Sequence, residues 1–225
     1  MSQNAEWKLV ECPLIEQLQT MGWDYKKGNM YYPLKTERSS GLDVLLEKII
    51  KTALKKLNQA DGKDWLDDAR IDQALDQLKR IQSQDLAKAN AEAFELILGG
   101  ATVTGDPQIH GGRNTRIKFI DFEDWQKNDF LAINQFRVDI PNMAKSIIPD
   151  IVLFVNGIPL VVIECKSPNS TNQSTDPIEE GIEQLFRYMN RTEAKEGNEN
   201  LFHYNQIVIS TCLDDARMAS VTSIE

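Results

Sequence analysis

No stretch of the 225-residue chain reaches 18 consecutive apolar residues, and the opening MSQNAEWKLV has no basic start followed by an apolar run. Neither a membrane span nor a secretion signal is supported. Histidine is nearly absent, His110 and His203 being the two, and the three cysteines, Cys12, Cys165 and Cys212, are odd in number and far apart. No zinc-ligand spacing exists among them and no disulfide framework can be drawn, so a reducing, cytoplasmic location is expected. The chain has no GxxxxGK[ST] phosphate loop and no helix-turn-helix or zinc-finger pattern. Positive charge is scarce as well, with 25 Lys and Arg against 34 Asp and Glu and a net charge of −9. That balance argues against binding nucleic acid over the whole surface, because neutralising phosphates with Lys and Arg supplies most of such affinity. It leaves open a local acidic site that works through a metal. With 41% hydrophobic and 26% charged residues, the remainder reads as an ordinary globular chain.

What is present is concentrated in residues 147–167, IIPDIVLFVNGIPLVVIECKS. Two apolar runs, 151–155 and 160–163, meet through Asn156-Gly157, a dipeptide that tolerates positive φ and signals a β-hairpin. Its few charged residues stand at the strand ends: Asp150 before the first, Glu164 and Lys166 at the end of the second. A two-residue loop would oppose Asp150 to Ile163 and turn Glu164 to the other face. A three-residue loop, or a one-residue bulge, would oppose Asp150 to Glu164 with Cβ atoms about 5 Å apart. Lys166 then shares their face, because side chains alternate along a strand. The expectation is an odd loop or a bulge, since only that register makes one site of the three. Two carboxylates this close raise one another's pKa unless a cation sits between them. Mg²⁺ fits, as a hard ion that one or two carboxylates hold while phosphate oxygens complete its shell. A lysine beside it suits a phosphate or an attacking water, and hydrolysis of a phosphodiester follows as the natural chemistry.

Pro149-Asp150 followed by Glu164-Cys165-Lys166 resembles the PD-(D/E)xK nuclease motif, and DIVLFVNGIPLVVIECK resembles the form it takes in the R subunit of type I restriction-modification enzymes. The bare motif is common, and an ordinary hairpin with a surface salt bridge would also carry it. The strands, the turn and the spacing together are far more specific. Gln184 and Tyr188, four apart on a helical stretch, resemble the QxxxY motif that follows the hairpin in these subunits. Such a pair would contact a phosphate and the lysine region, and Arg187 and Arg191 would add phosphate contacts. The resemblance also implies a first helix carrying a glutamate near the metal. Glu11 and Glu16 are the candidates, and Glu11 matches the pattern better, counting back from Gly22-Trp23.

The remaining chain is organised around that core. Residues 6–20 place Trp7, Val10, Leu14 and Leu18 near helical spacing, although Pro13 requires either a start near Cys12 or a kink. Residues 23–40 interleave Tyr25, Tyr31 and Tyr32 with Lys26, Lys27, Lys35 and Arg38. That mixture suits nucleic acid, but is read here as a loop packed over the core. From residue 41 to 98 the pattern is helical, in stripes at 42–57 and 71–81 and in LAKANAEAFELIL, and it predicts a helical insertion with no chemistry of its own. Strand-like runs follow at 115–122 and 130–140. His110 and His203 lack a second ligand and are read as loop residues, not metal ligands. Pro168 to Thr175 is a polar loop, Asp176-Pro177 with Glu179 opens a capped helix, and 206–211 is a last strand.

The expected fold is α/β, a restriction-endonuclease-like mixed sheet core of order αβββαβ with a helical insertion, residues 41–100, after the first helix. The resemblance implies a PD-(D/E)xK endonuclease domain over 1–225 that cuts double-stranded DNA. Catalysis would rest on Asp150, Glu164 and Lys166, Mg²⁺ on Asp150, Glu164 and Glu11, and DNA contacts on Gln184, Tyr188 and Arg187. Methyltransferase and specificity subunits would be the partners. ATP would be used only by a motor beyond Glu225, since the chain stops soon after its last strand and reads as part of a longer one. Two other readings remain, a non-catalytic scaffold for DNA or subunit contact and a repair or junction nuclease with the same motif.

Overall fold

The computed structural model describes residues 5–36, 38–81, 85–168 and 176–222. The chain enters as one turn of π-helix, Trp7–Glu11, that runs straight into helix α1, Cys12–Thr20. Pro13 accounts for the wide turn. Without an N–H it cannot close the usual bond to the carbonyl four residues back, and just before it the Cys12 N–H reaches Trp7 O, five residues back. The helix therefore starts upstream of Cys12 and passes the proline through a π-bulge, a feature common at functional sites.

Residues 24–27 correct the reading of 23–40 as a covering loop. Asp24–Lys27 is strand β1, an edge of the main sheet paired parallel to a later strand. Tyr31 and Tyr32 are 74% and 65% exposed, so they cover nothing. The helical insertion is present as α2 (Glu47–Leu57), α3 (Asp68–Lys79) and α4 (Leu86–Gly99). Asp67 and Asp85 cap the last two through their carboxylates, which satisfies N–H groups that a helix start leaves without partners. The first helix begins five residues later than its leucine stripe: Leu42 is exposed, whereas Leu45 and Leu46 are buried ahead of it.

A small ribbon of β2 (Ala101–Val103) and β3 (Thr115–Ile117) follows, with the short α5 (Pro107–His110) between them. The strand expected to reach residue 122 ends at Ile117, because Asp121 turns the chain by accepting N–H bonds from Glu123 and Asp124. The run at 130–140 is likewise divided. β4 is Phe130–Asn134, and β5 (Val138–Asp139) pairs instead with β6 (Ser146–Ile147) in a second ribbon.

The main sheet is completed by β7 (Ile151–Val155), β8 (Ile158–Cys165), β9 (Ile207–Cys212) and β10 (Asp215–Ala219), with α6 (Pro177–Tyr188) and α7 (Glu199–Tyr204) between β8 and β9. Its strand order is β1-β4-β7-β8-β9-β10, parallel at β1/β4 and β8/β9 and antiparallel elsewhere. The sheet is mixed, and α1, β4, β7, β8, α6 and β9 reproduce the αβββαβ order. Asp176 caps α6 at Ile178 N–H, while Glu179 pairs with Arg217 instead of completing a capping box. Residues 169–175 of the polar loop lie outside the described ones. Alternation sends Val152, Phe154 and Val162 to a large core shared with α2, α3, α4 and α6. Ile151, Leu153, Ile163 and Cys165 face a small one closed by Val10, Ile15 and Leu18. The first helix and α6 thus cover opposite faces of the same strands.

Candidate active site

The register of β7 and β8 decides what their ends can do. Asn156 and Gly157 have φ of 51° and 84°, the left-handed pair of a type I′ turn. Asn156 is fixed there by bonds to Phe119 O, Asn128 Oδ1 and Asp129 N. The turn pairs Val155 with Ile158 and Phe154 with Pro159, and then the register shifts, so that Leu153 meets Val161 and Ile151 meets Ile163. Leu160 is the extra residue. Its neighbour Pro159 has no N–H for the ladder, and prolines inside strands belong at such bulges. Of the two routes that would oppose Asp150 to Glu164, the fold takes the bulge with a two-residue turn.

The strand ends consequently form one polar cluster. Asp150 Oδ2 accepts the Cys165 N–H at 2.8 Å. Lys166 Nζ donates to Glu164 Oε1 at 2.7 Å and to Gln184 Oε1 at 2.9 Å. Gln184 Nε2 donates to the Tyr188 hydroxyl at 2.6 Å, which donates to Ile148 O at 3.2 Å. Gln184 and Tyr188 therefore brace Lys166 from α6, and the tyrosine hydroxyl points inward. Arg187 lies outside this chain of bonds, lining a neighbouring cleft of about 630 Å³ with Gln184, Glu180 and Glu183; its guanidinium is 5.8 Å from the Tyr188 ring centroid.

The N-terminal helix delivers Glu11 from the opposite face. It is 3% exposed, and its Oε1 accepts from Asn134 Nδ2 at 2.8 Å. Glu16 is on the exposed side, bonded to the Cys12 thiol. Asn134 Oδ1 in turn accepts from the Tyr25 hydroxyl and the Gly28 N–H. Gly28 has to be glycine, because a Cβ there would sit 1.9 Å from Asn134 O. Glu6, Glu11, Asn134, Gln135, Asp150, Glu164, Lys166 and Gln184 all line one cleft of about 570 Å³. Glu6, Asn134 and Gln135 were not singled out from the sequence as site residues. For Asn134 a signal existed, a polar residue on the inward register of β4. Glu6 shares the site with Glu11 because five residues make about one turn of a π-helix but not of an α-helix.

Burial and mutual repulsion hold these carboxyls above their usual range. Burial, then Asp150, pushes Glu164 well up. Burial raises Asp150 despite the Cys165 N–H and Lys166, and burial raises Glu11 to about 7. Burial pulls the Lys166 ammonium down, but the charge and hydrogen bond of Glu164 outweigh it, so its pKa is raised and it stays a cation. Burial raises the pKa of Cys165, whose side chain packs into the small apolar core with Val10, Ile15 and Leu18.

The donor set suits a hard divalent ion. Glu164 Oε2 is buried and has no hydrogen-bond partner among the described residues, and Asp150 Oδ1 accepts a long bond, 3.2 Å, from Gln135. Among the described residues no three His, Cys, Asp or Glu side chains form a ready metal cage. Mg²⁺ needs none, since one or two carboxylates with water and substrate oxygens suffice.

Comparison with known proteins adds an independent line. A family model described as type I restriction enzyme R protein N terminus matches residues 4–224. The type I restriction enzyme HindI endonuclease subunit of Haemophilus influenzae is 29% identical over 221 residues, which cover 95% of this chain and 19% of that protein. Two chains of Methanocaldococcus jannaschii, named as candidate type I restriction enzyme endonuclease subunits MjaIXP and MjaVIIIP, are 29% and 28% identical, each over 86% of this chain. The chain spans about a fifth of the length of these relatives, 19%, 19% and 16%.

Proposed function

The chain belongs to the family of type I restriction enzyme R protein N termini, and from that premise we propose that it is the Mg²⁺-dependent endonuclease domain of such a subunit, hydrolysing phosphodiester bonds of double-stranded DNA. The observation that carries the reading is the cluster itself: Asp150 and Glu164 at opposed strand ends, an unsatisfied Glu164 oxygen, and Lys166 beside both. Asp150 and Glu164 would hold the ion, with Glu11 as a third carboxylate in the same cleft. When bound, the ion supplies Lewis-acid polarisation of the phosphate and a more acidic water. Lys166, a cation held by Glu164 and Gln184, offsets charge on the scissile phosphate and orients the attacking water. Gln184 and Tyr188 keep the ammonium aimed. Gln184 also reaches the cleft surface, where it and Arg187 meet the DNA strand.

The relatives' names place their whole proteins in restriction, so the methyltransferase and specificity subunits are the proposed partners. The ATP-driven motor would lie outside this segment. No helix among the described residues is long and apolar enough to cross a membrane, and a cytoplasmic location is part of the same proposal.

The test is Asp150→Ala and Lys166→Ala in the complete subunit, assembled with its partners. Each variant should lose DNA cleavage while ATP hydrolysis by the complete subunit continues. Retained cleavage in either variant contradicts the assignment, and loss of both activities together marks a folding defect or a wrong site.

A further inference from the structure

One polar side chain in the cleft has no part in the chemistry above. Gln135 is the first residue past β4, and its φ of 48° lies in the left-handed region. Asn, Asp and Gly visit that region far more readily than glutamine does, and such a conformation persists only where the surroundings fix it. Here the fixing bonds are visible. The Gln135 N–H donates to Asp150 O at 2.9 Å, and the next N–H, of Phe136, donates to Pro149 O at 3.2 Å. The backbone of Gln135 is latched to the segment that carries Asp150.

Wound this way, the side chain enters the cleft. Its Nε2 lies 3.2 Å from Asp150 Oδ1 and 3.4 Å from Glu11 Oε2. In both bonds the NH₂ end of the amide is the donor. A single donor group thus bridges two acidic side chains brought from opposite faces of the sheet. It does weakly, with two long hydrogen bonds, what a cation does strongly. Neighbouring Asn134 behaves differently. Its amide makes a 2.8 Å bond to Glu11 Oε1 and accepts from both Tyr25 and Gly28, so it is fixed in place.

We propose that Gln135 is a placeholder of the ion centre: in the ion-free protein its amide sits between Glu11 and Asp150, and it withdraws when a divalent cation takes their oxygens. The inference rests on the reading of this cleft as a divalent-ion site. Asn134 is the permanent strut of Glu11, and Gln135 is the occupant that gives way. The left-handed backbone allows this, because the main chain is held by its own bonds and the side chain can leave without dragging Asp150 along.

The experiment is a calorimetric titration of the 225-residue chain with Mn²⁺, using the wild type, Gln135→Gly and Gln135→Glu, with thermal melts to confirm folding. Glycine suits φ > 0, so Gln135→Gly keeps the backbone and removes only the amide; it should bind Mn²⁺ at least as tightly as the wild type. Gln135→Glu replaces the donor by an anionic oxygen at the same place and should bind at least about tenfold tighter. In the wild type the side-chain NH₂ resonances of Gln135 should shift on saturation with Mg²⁺, and those of Asn134 should move much less. Weaker binding by folded Gln135→Gly, or unmoved Gln135 resonances in an ion-loaded wild type, would overturn the proposal while leaving the ion site intact. A wild-type chain that takes up no Mn²⁺ would overturn the ion site itself, and this inference with it.

Discussion

Between Ile151 and Val155, and at Val162 and Ile163, the two central strands bury every side chain. Asp150 and Glu164, at the ends of the same strands, are buried nearly as well, yet the two regions are held by different forces. In the apolar stretch, contacts are numerous and each is small, so side chains of similar volume can replace one another at modest cost. At the strand ends the polar atoms have one or two named partners, except Glu164 Oε2, which has none among the described residues, and burial works against the ionised carboxyls. The first region supplies stability. The second is kept in spite of its effect on stability, as expected of a site held for its chemistry.

The largest effect that sharpens this contrast belongs to the apolar region. Phe154 is fully buried and packs edge-on against Phe136 at 5.1 Å. Phe154→Ala should cost about 3–5 kcal/mol, a large part of the 5–15 kcal/mol available to a typical domain. Urea unfolding measures it, and a loss below about 1 kcal/mol would break the comparison.

At the strand end the opposite is expected. Asp150→Asn keeps the shape, removes a carboxylate whose ionisation burial opposes, and leaves the Lys166–Glu164 pair intact, so the ion-free chain at pH 8 should unfold no more easily, or resist by up to about 2 kcal/mol more. The same substitution should abolish cleavage by the assembled enzyme. A stability loss comparable with that of Phe154→Ala would make the two regions alike.

A pH series separates them further. The Glu11 carboxyl is held at about 7 by burial, against an ordinary value of 4.5. Because its folded pKa is the higher, its contribution is fully present below about 4.5 and is lost as pH rises through about 7. Asp150 and Glu164 are raised too and act in the same direction. Ion-free stability should therefore decline between pH 5 and pH 8, and Glu11→Gln should flatten that decline. A profile that rises over this window contradicts the account. The smallest effect lies on the surface: Lys51 and Asp72 are 2.9 Å apart but well exposed, and Asp72→Ala should shift the urea midpoint by less than about 1 kcal/mol equivalent.

The contrast also explains what the sequence made legible. Apolar periodicity is a direct imprint of burial, so the three helices of the insertion, the hairpin and β9 could be read in advance. The register of Asp150 and Glu164 was legible as a requirement, an odd loop or a bulge, but not as the choice between them, which depends on Asn156 finding partners at Phe119, Asn128 and Asp129. β1 was missed because DYKK has no apolar alternation and pairs only as an edge. Glu6 and Gln135 were missed for conformational reasons: a π-turn brings the one into the cleft, a left-handed backbone the other, and neither shows in a period of 2 or 3.6. Asn134 could have been found, as a polar residue on an inward register of β4.

The central claim is that Asp150 and Glu164 together grip one divalent ion beside Lys166. Its most direct test is a crystal of the chain soaked in Mn²⁺, with the anomalous signal of the ion located. The account predicts a peak within bonding distance of an Asp150 oxygen and of Glu164 Oε2, with Lys166 Nζ close by. A peak elsewhere in the cleft, touching neither carboxylate, would contradict it.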